Sequence, residues 1–433
     1  MCHQIQEIMT DFTKTSMNVV SDRGRFDHAD CIDRSGAGER AGRIDRAGRL
    51  SANLTTFAAA VASFLAGASL FAAASLFCTF AWSMAALVAG RCVLGVASAL
   101  ILPASMALIN EANPNPKRRA WALALWGAGG ASASAVGPLL GGLLTPIHWS
   151  LVFAINVPFC LMILAVAPKI AASPSRPIRF DWLGQVLALI GLSSLVAGII
   201  QVGSLGFAHP ATLALLTVGV VTLGAFLFSQ KKVVAPMMTL NLFHVRGMQV
   251  ALQIGFIMIF NWYGMVFICT MFLQNELNMG AFAAGLVFVP SAFVTIVGNL
   301  VGGRIITAHG SKFSITLGLS VMIVGFMFEF LAPAPIPVWV IAAGLSVVGF
   351  GAAVTTPAAA GVVLKSVDSS QSGIASAMFN TFRQVGGAIG VAVFGVIATF
   401  LPSLMLALRS VFLASAILLA YVLAFELLRW RDR

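Results

Sequence analysis

Residues 120–144, AWALALWGAGGASASAVGPLLGGLL, hold no charged side chain. As a helix rising 1.5 Å per residue this stretch measures about 37 Å, more than the roughly 30 Å hydrocarbon core of a bilayer. Its end, Gly137-Pro138-Leu139-Leu140-Gly141-Gly142, is one that a soluble helix would not tolerate. Between helices in lipid the same residues have a use. Small side chains let backbones approach closely, and a neighbour re-satisfies the carbonyl that a buried proline frees. The stretch reads as a packed transmembrane helix.

The whole chain agrees with that reading. Hydrophobic residues make up 59% of its 433 positions and charged ones 9%, far from soluble averages. The length is spent on spans, leaving no room for a folded soluble domain. The net charge of +11 is not a nucleic-acid footprint, because residues 1–50 balance eight Lys or Arg against eight Asp or Glu. The excess belongs to the membrane part, as expected for cytoplasmic loops. Cys2, Cys31, Cys78, Cys92, Cys160 and Cys269 have neither CxxC nor metal-ligand spacing and read as free thiols. No GxxxxGK[ST] loop is present, and no cofactor or metal is implied.

Residues 1–56 are polar and turn-rich, and predict a disordered cytoplasmic tail. Apolar segments follow at about 57–80, 82–110, 120–144, 148–168, 184–205, 210–229, 248–273, 280–306, 313–332, 337–363, 373–400 and 403–428, predicting about twelve transmembrane helices. Lys117, Arg118 and Arg119 follow the second span, and Lys169, Arg176 and Arg179 the fourth. Lys231, Lys232 and Arg246 follow the sixth, Arg304 and Lys312 the eighth, Lys365 the tenth, and Arg429, Arg431 and Arg433 the last. The intervening loops carry none, unless Arg409 belongs to the short one near residue 402. This alternation predicts cytoplasmic even-numbered loops, two cytoplasmic termini and a multi-pass protein of the inner (plasma) membrane.

Several stretches resemble the 14-helix drug:proton antiporter family of major facilitators, the EmrB/QacA type. Arg91-Cys-Val-Leu-Gly95 with Leu102-Pro103-Ala104-Ser105 resembles its RxxxG motif on helix four, and Gly137-Pro138-Leu-Leu-Gly141-Gly142 its antiporter motif on helix five. His148-Trp149 to Asn156-Val157-Pro158 is similar to the start of helix six, and Phe180-Asp181-Trp182-Leu183-Gly184 to that of helix seven. PMMTLNLF, residues 236–243, resembles the segment before helix nine. Gly303-Arg304 to Gly310-Ser311-Lys312 fits the repeated cytoplasmic loop motif, with Thr307 where an Asp can stand, and SGIASAMFNTFRQVGGAIG, residues 372–390, is similar to helix thirteen. Counted by these motifs, the visible spans are the family's helices three to fourteen.

The resemblance implies an all-α integral membrane protein of the major facilitator fold, with an incomplete amino-terminal bundle. Residues 57–168 would supply four helices of that bundle, 169–247 an inserted pair with cytoplasmic linkers, 248–428 a six-helix carboxy-terminal bundle, and 429–433 a tail. A site near mid-membrane would lie between the bundles. The implied activity is proton-coupled export of small lipophilic compounds or drugs, not an enzymatic reaction. Implied partners are the bilayer, the substrate, protons and, in a tripartite pump, a periplasmic adaptor, but no nucleic acid.

Charges inside a membrane mark function by default. Arg91 lies about ten residues into its span, and the resemblance implies coupling for it and for Gly95; the structural reading is an Arg capping carbonyls or pairing with nearby amides. Arg383, Asn156, Asn261, Tyr263 and Gln274 are the cavity candidates, with Trp262 beside them, although Asn261 also reads as a bond to a neighbouring helix. Gly303, Arg304 and Gly310 carry the loop motif. The acids beyond residue 50 are Glu111, Asp181, Glu276, Glu329, Asp368, Glu426 and Asp432. All fall at loops or span ends, and Glu329 reads as interfacial. The lack of a central carboxylate keeps a second reading open, a truncated or frameshifted family member that does not transport. It also favours neutral or anionic substrates over dications.

Overall fold

The computed structural model describes residues 61–113, 115–166, 181–233, 236, 238–367 and 371–430. The expectations for the tail, for the 169–180 linker and for the last residues lie outside these, as does the side chain of Pro138. The described chain is helical throughout: α1 (Val61–Thr79), α2 (Met84–Ala112), α3 (Pro116–Leu144), α4 (Leu151–Val166), α5 (Trp182–Leu205), α6 (Pro210–Gln230), α7 (Arg246–Met271), α8 (Ala281–Leu286), α9 (Val289–Phe330), α10 (Val338–Lys365), α11 (Ser372–Phe400) and α12 (Leu404–Trp430). A 3₁₀ turn, Leu240–His244, leads into α7 and a π turn, Phe272–Glu276, ends it.

Among the described residues nine helices are long and apolar enough to cross a bilayer. One of the nine, Ala281–Phe330, takes in both apolar segments 280–306 and 313–332. At Gly310 the backbone turns through φ 84°, ψ 170°, a conformation that glycine reaches without a Cβ clash, so α9 is two helices in sequence. The segments at 120–144 and 148–168 correspond to α3, whose first turn is charged, and to the shorter α4.

Two compact units divide the chain. One holds α1, α2 and the part of α4 from Phe153; the other holds α3 and α5 to α12. In the first unit, α1 and α2 form an antiparallel hairpin. A Cβ at Gly67 would lie 3.0 Å from Leu100 Cβ, and one at Gly90 would lie 2.5 Å from Cys78 Sγ.

Glycines set the helix registers in the second unit too. On α5, Gly184, Gly191 and Gly198 stand seven apart, all buried, facing Gln230, Leu223 and Leu216 of α6 in antiparallel order. Helix α11 lies parallel to α7: a Cβ on Gly386 or Gly390 would overlap the carbonyl oxygens of Phe256 and Phe260. The second half of α9 runs antiparallel to α10, with Gly325 at Val348 and Glu329 at Gly344. The apolar core of this unit gathers around Met258, Phe272, Phe326 and Phe412, all fully buried.

Asp181 ties the α5–α6 pair to the chain that follows it. Its Oδ1 accepts the Gly184 amide at 2.8 Å, capping α5, while its Oδ2 accepts the Gln230 amide group. Gln230 Oε1 in turn accepts the Met238 amide at 2.9 Å. Asp181→Ala should therefore lower stability by about 1–3 kcal/mol through the lost cap and the stranded Gln230. The expected readout is a reduced thermal midpoint of the detergent-purified protein, largely restored by Asp181→Asn, which keeps a cap oxygen. An unchanged midpoint in Asp181→Ala would refute this account.

Candidate functional site

The sequence-singled residues divide between the two units. In the first, Arg91 and Gly95 stand about one turn apart on α2, both exposed, with the Arg91 guanidinium in electrostatic range of Cys78 on α1. Arg91 makes no hydrogen bond or ion pair with the described residues, so it caps no carbonyl there, and a Cβ at Gly95 would meet nothing within 4 Å. Asn156 is half-buried where α4 resumes after the break at Ile155.

The antiporter-like stretch belongs to the second unit. Of its described glycines only Gly142 is buried. A Cβ there would come within 2.5 Å of Ala281 O and 2.8 Å of Phe282 Cα, so α3 presses its backbone onto the start of α8. Gly137 and Gly141 face open space. The other loop-motif residues behave differently again. Gly303 and Arg304 are exposed on α9, Thr307 donates to the Arg304 carbonyl at 2.8 Å, and Gly310 makes the break already described.

Apart from Asn156, the cavity candidates gather on α7, the π turn that ends it and α11, but not at one point. Tyr263 and Gln274 share an apolar cleft of about 370 Å³ with Phe267, Thr270 and Val391. Gln274 sits in the π turn, a rare backbone form found often at functional sites. Asn261 is instead fully buried. Its Nδ2 donates to the Ile257 carbonyl of the same helix at 2.8 Å, not to a neighbouring helix, and its Oδ1 has no partner among the described residues. Trp262 turns to α10, 3.3 Å from where a Gly349 Cβ would be.

Arg383 packs its Cγ on Gly255 and holds its guanidinium carbon 5.7 Å from the Phe379 ring centre. Its Nε is buried without a hydrogen-bond partner, and Tyr263 is within electrostatic range. A cation held over an aromatic face keeps its N–H fork available to an incoming acceptor. A second cleft, of about 590 Å³, opens beside it on α7, α11 and α12, lined by Gln249, Gln253, Phe256 and Phe382.

Sequence comparison decides the family. The profile of the Major Facilitator Superfamily matches residues 50–391 and 251–433. The chain belongs to that superfamily. It is 30% identical over 315 residues to the methylenomycin A resistance protein of Bacillus subtilis, covering 72% of this chain and 67% of that protein. It is 29% identical over 323 residues to the multidrug efflux pump LfrA of Mycolicibacterium smegmatis, covering 74% and 64%. It is also 30% identical over 331 residues to the multidrug resistance protein Stp of Mycobacterium tuberculosis, covering 75% and 61%. The chain thus spans between 61 and 67% of these relatives' lengths. Among solved structures, the human organic anion transporter MFSD10 superposes with a TM-score of 0.53 at 17% identity, over 86% of this chain and 82% of that one. A peptide transporter, POT, gives 0.54 at 14%, over 86% and 83%. These two likenesses establish a shared facilitator fold.

Sequence reasoning missed two acids. Glu329 and Glu426, taken as span-end residues, are both fully buried, and neither carboxyl has a hydrogen-bond partner among the described residues. Position along a span told nothing of which face the side chain takes, and helix packing buries both. For the antiporter-like stretch, Gly142→Leu should push α8 away and sharply reduce efflux at equal membrane abundance, whereas Gly137→Ala should leave efflux near wild type. Equal activity in the two variants would show that the α3–α8 contact has no part in transport.

Proposed function

We propose that this facilitator is a secondary active transporter that exports small lipophilic compounds in exchange for protons. Within the superfamily it reads as a drug:proton antiporter of the 14-helix type. The observation that carries the reading is the set of relatives, named for antibiotic resistance and drug efflux, that align over about three quarters of the chain. These relatives lend no support to the non-transporting alternative. The loop charges orient the chain with its even-numbered connections in the cytoplasm of the cell and its short turns outside. Residues 57–168 and 248–428 then serve as the two halves of a facilitator, with 169–247 inserted between them.

In this reading the mobile proton and the substrate use different parts of the molecule. Arg383, an unpaired cation beside an aromatic cleft, favours neutral or anionic lipophilic molecules as cargo. Arg91, unpaired on α2, acts in coupling. An exposed guanidinium in a membrane span needs a partner, and a carboxylate or a water-filled path supplies one.

The test is efflux from cells expressing the chain, with methylenomycin A and a neutral lipophilic dye as probes. Expression should lower accumulation of at least one probe, and a protonophore should abolish the difference from empty-vector cells. Accumulation equal to that of empty-vector cells for both probes would end the export reading for them. Arg91→Ala should remove the protonophore-sensitive component while membrane abundance is unchanged; retained efflux in that variant would end the coupling role of Arg91.

A further inference from the structure

The larger of the two clefts on α7 combines aromatic walls with an uncommitted amide. Its volume of about 590 Å³ falls in the range of small-molecule sites, roughly 300–1,000 Å³. Gln249, Gln253 and Phe256 enter it from the first three turns of α7, at the i, i+4 and i+7 spacing of one helix face. Phe382 of α11 and Phe425 of α12 line it too, and Phe243 joins them from the 3₁₀ turn before α7. The rings of Phe243 and Phe382 meet with centres 5.8 Å apart. Four aromatic side chains thus border one opening.

The two glutamines differ. Gln249 donates from Nε2 to the Phe243 carbonyl, which ties the 3₁₀ turn to α7. Gln253, one turn further on, makes no hydrogen bond with the described residues, and its Oε1 is buried. An amide held inside a protein without a partner is costly, and buried polar groups are normally bonded. A lipid tail in the cleft would leave Gln253 as it is, because hydrocarbon has neither donor nor acceptor. A ligand with both would satisfy it. Rotation about the last side-chain bond exchanges the amide oxygen and nitrogen, so Gln253 can meet a donor and an acceptor side by side. The described residues that line the cleft include no charged side chain, so none of them balances a charge on the ligand. Arg383 is spoken for nearby, packed on Gly255 and over the Phe379 ring.

We infer that this cleft binds neutral, planar aromatic compounds that carry an amide or lactam, with Gln253 as the residue that selects them. The phenylalanine rings hold the plane of the ligand, and Gln253 pairs with its amide through one N–H···O bond in each direction. By the loop charges this end of α7 faces the cytoplasm. As the loading site of an exporter, the cleft therefore rests on the export reading above. As a binding site it does not.

The test compares three probes on the protein in lipid nanodiscs, with protein-free nanodiscs subtracted: 2-naphthamide, its N,N-dimethyl derivative and 2-naphthoate. 2-Naphthamide should bind saturably, about five- to tenfold more tightly than the dimethyl amide. Gln253→Met, of similar length but without the amide, should erase that preference and leave affinity for the dimethyl amide unchanged. Phe382→Ala should weaken both amides. Uptake that does not saturate, as in partition into lipid, overturns the site. A preference that survives Gln253→Met overturns the role of Gln253, and tighter binding of 2-naphthoate than of 2-naphthamide overturns the neutral class. Export of methylenomycin A by a protein that does not bind 2-naphthamide sinks the cleft as a site and leaves the export reading standing. Saturable, Gln253-dependent binding without efflux of any probe leaves the site standing and ends its role in loading.

Discussion

In hydrocarbon, helices gain nothing from hiding apolar side chains from one another, because lipid tails are as apolar as leucine. What holds them is close packing, and close packing needs positions without a Cβ. This constraint governs the second unit. Gly386 and Gly390 bring α11 onto the carbonyls of α7, and Gly184, Gly191 and Gly198 fix the sliding position of α5 on α6. Gly142 seats α3 on α8. These are close contacts of a glycine backbone with a neighbouring backbone or side chain, so each admits one register and few neighbouring ones. The twelve apolar segments supply material for spans; the glycines decide which spans lie beside which.

The same constraint explains what could be read from sequence and what could not. Segment positions were legible because a bilayer demands long apolar runs: the described part of each segment from 57–80 to 403–428 lies largely in helix, and among the described residues nine helices are long and apolar enough to cross. The break at Gly310 falls between two of those segments, where a charged connection was expected, and the chain turns there without leaving helical structure for long. Facing was not legible. Spans apolar on every side carry no amphipathic stripe to say which side is inward. Hence Gly137, Gly141 and Gly142 look alike in sequence, yet one packs and two do not. Asn261 and Tyr263 stand two residues apart on α7, yet one is sealed in the core and the other lines a cleft.

The charged residues show a second consequence. Hydrocarbon offers no hydrogen-bond partner, so a cation within a span must be accommodated by whatever lies within reach of its side chain. Arg383 uses the face of Phe379, and Arg409 uses a carbonyl at the end of α9, both leaving Nε unpartnered. The sequence left open whether Arg409 belongs to the short loop near residue 402; it lies six residues into α12, and its side chain reaches across to the Ala332 carbonyl. Incomplete satisfaction is expensive in a low-dielectric interior. A group held that way is poised to exchange partners when a ligand or a proton arrives, and fully satisfied ones are not.

Glu329 is where these two arguments meet. It is buried because α9 and α10 approach at Gly344, and the glycine leaves the space that the carboxyl fills. A larger residue at 344 would expel the carboxyl, so packing and protonation are properties of one contact. An unpartnered charge at this contact would be strongly unfavourable, so the space beside Gly344 suits the carboxyl only as a neutral group. Burial, not depth along a span, is what sets Glu329 and Glu426 apart from the other acids, and span position alone did not show it.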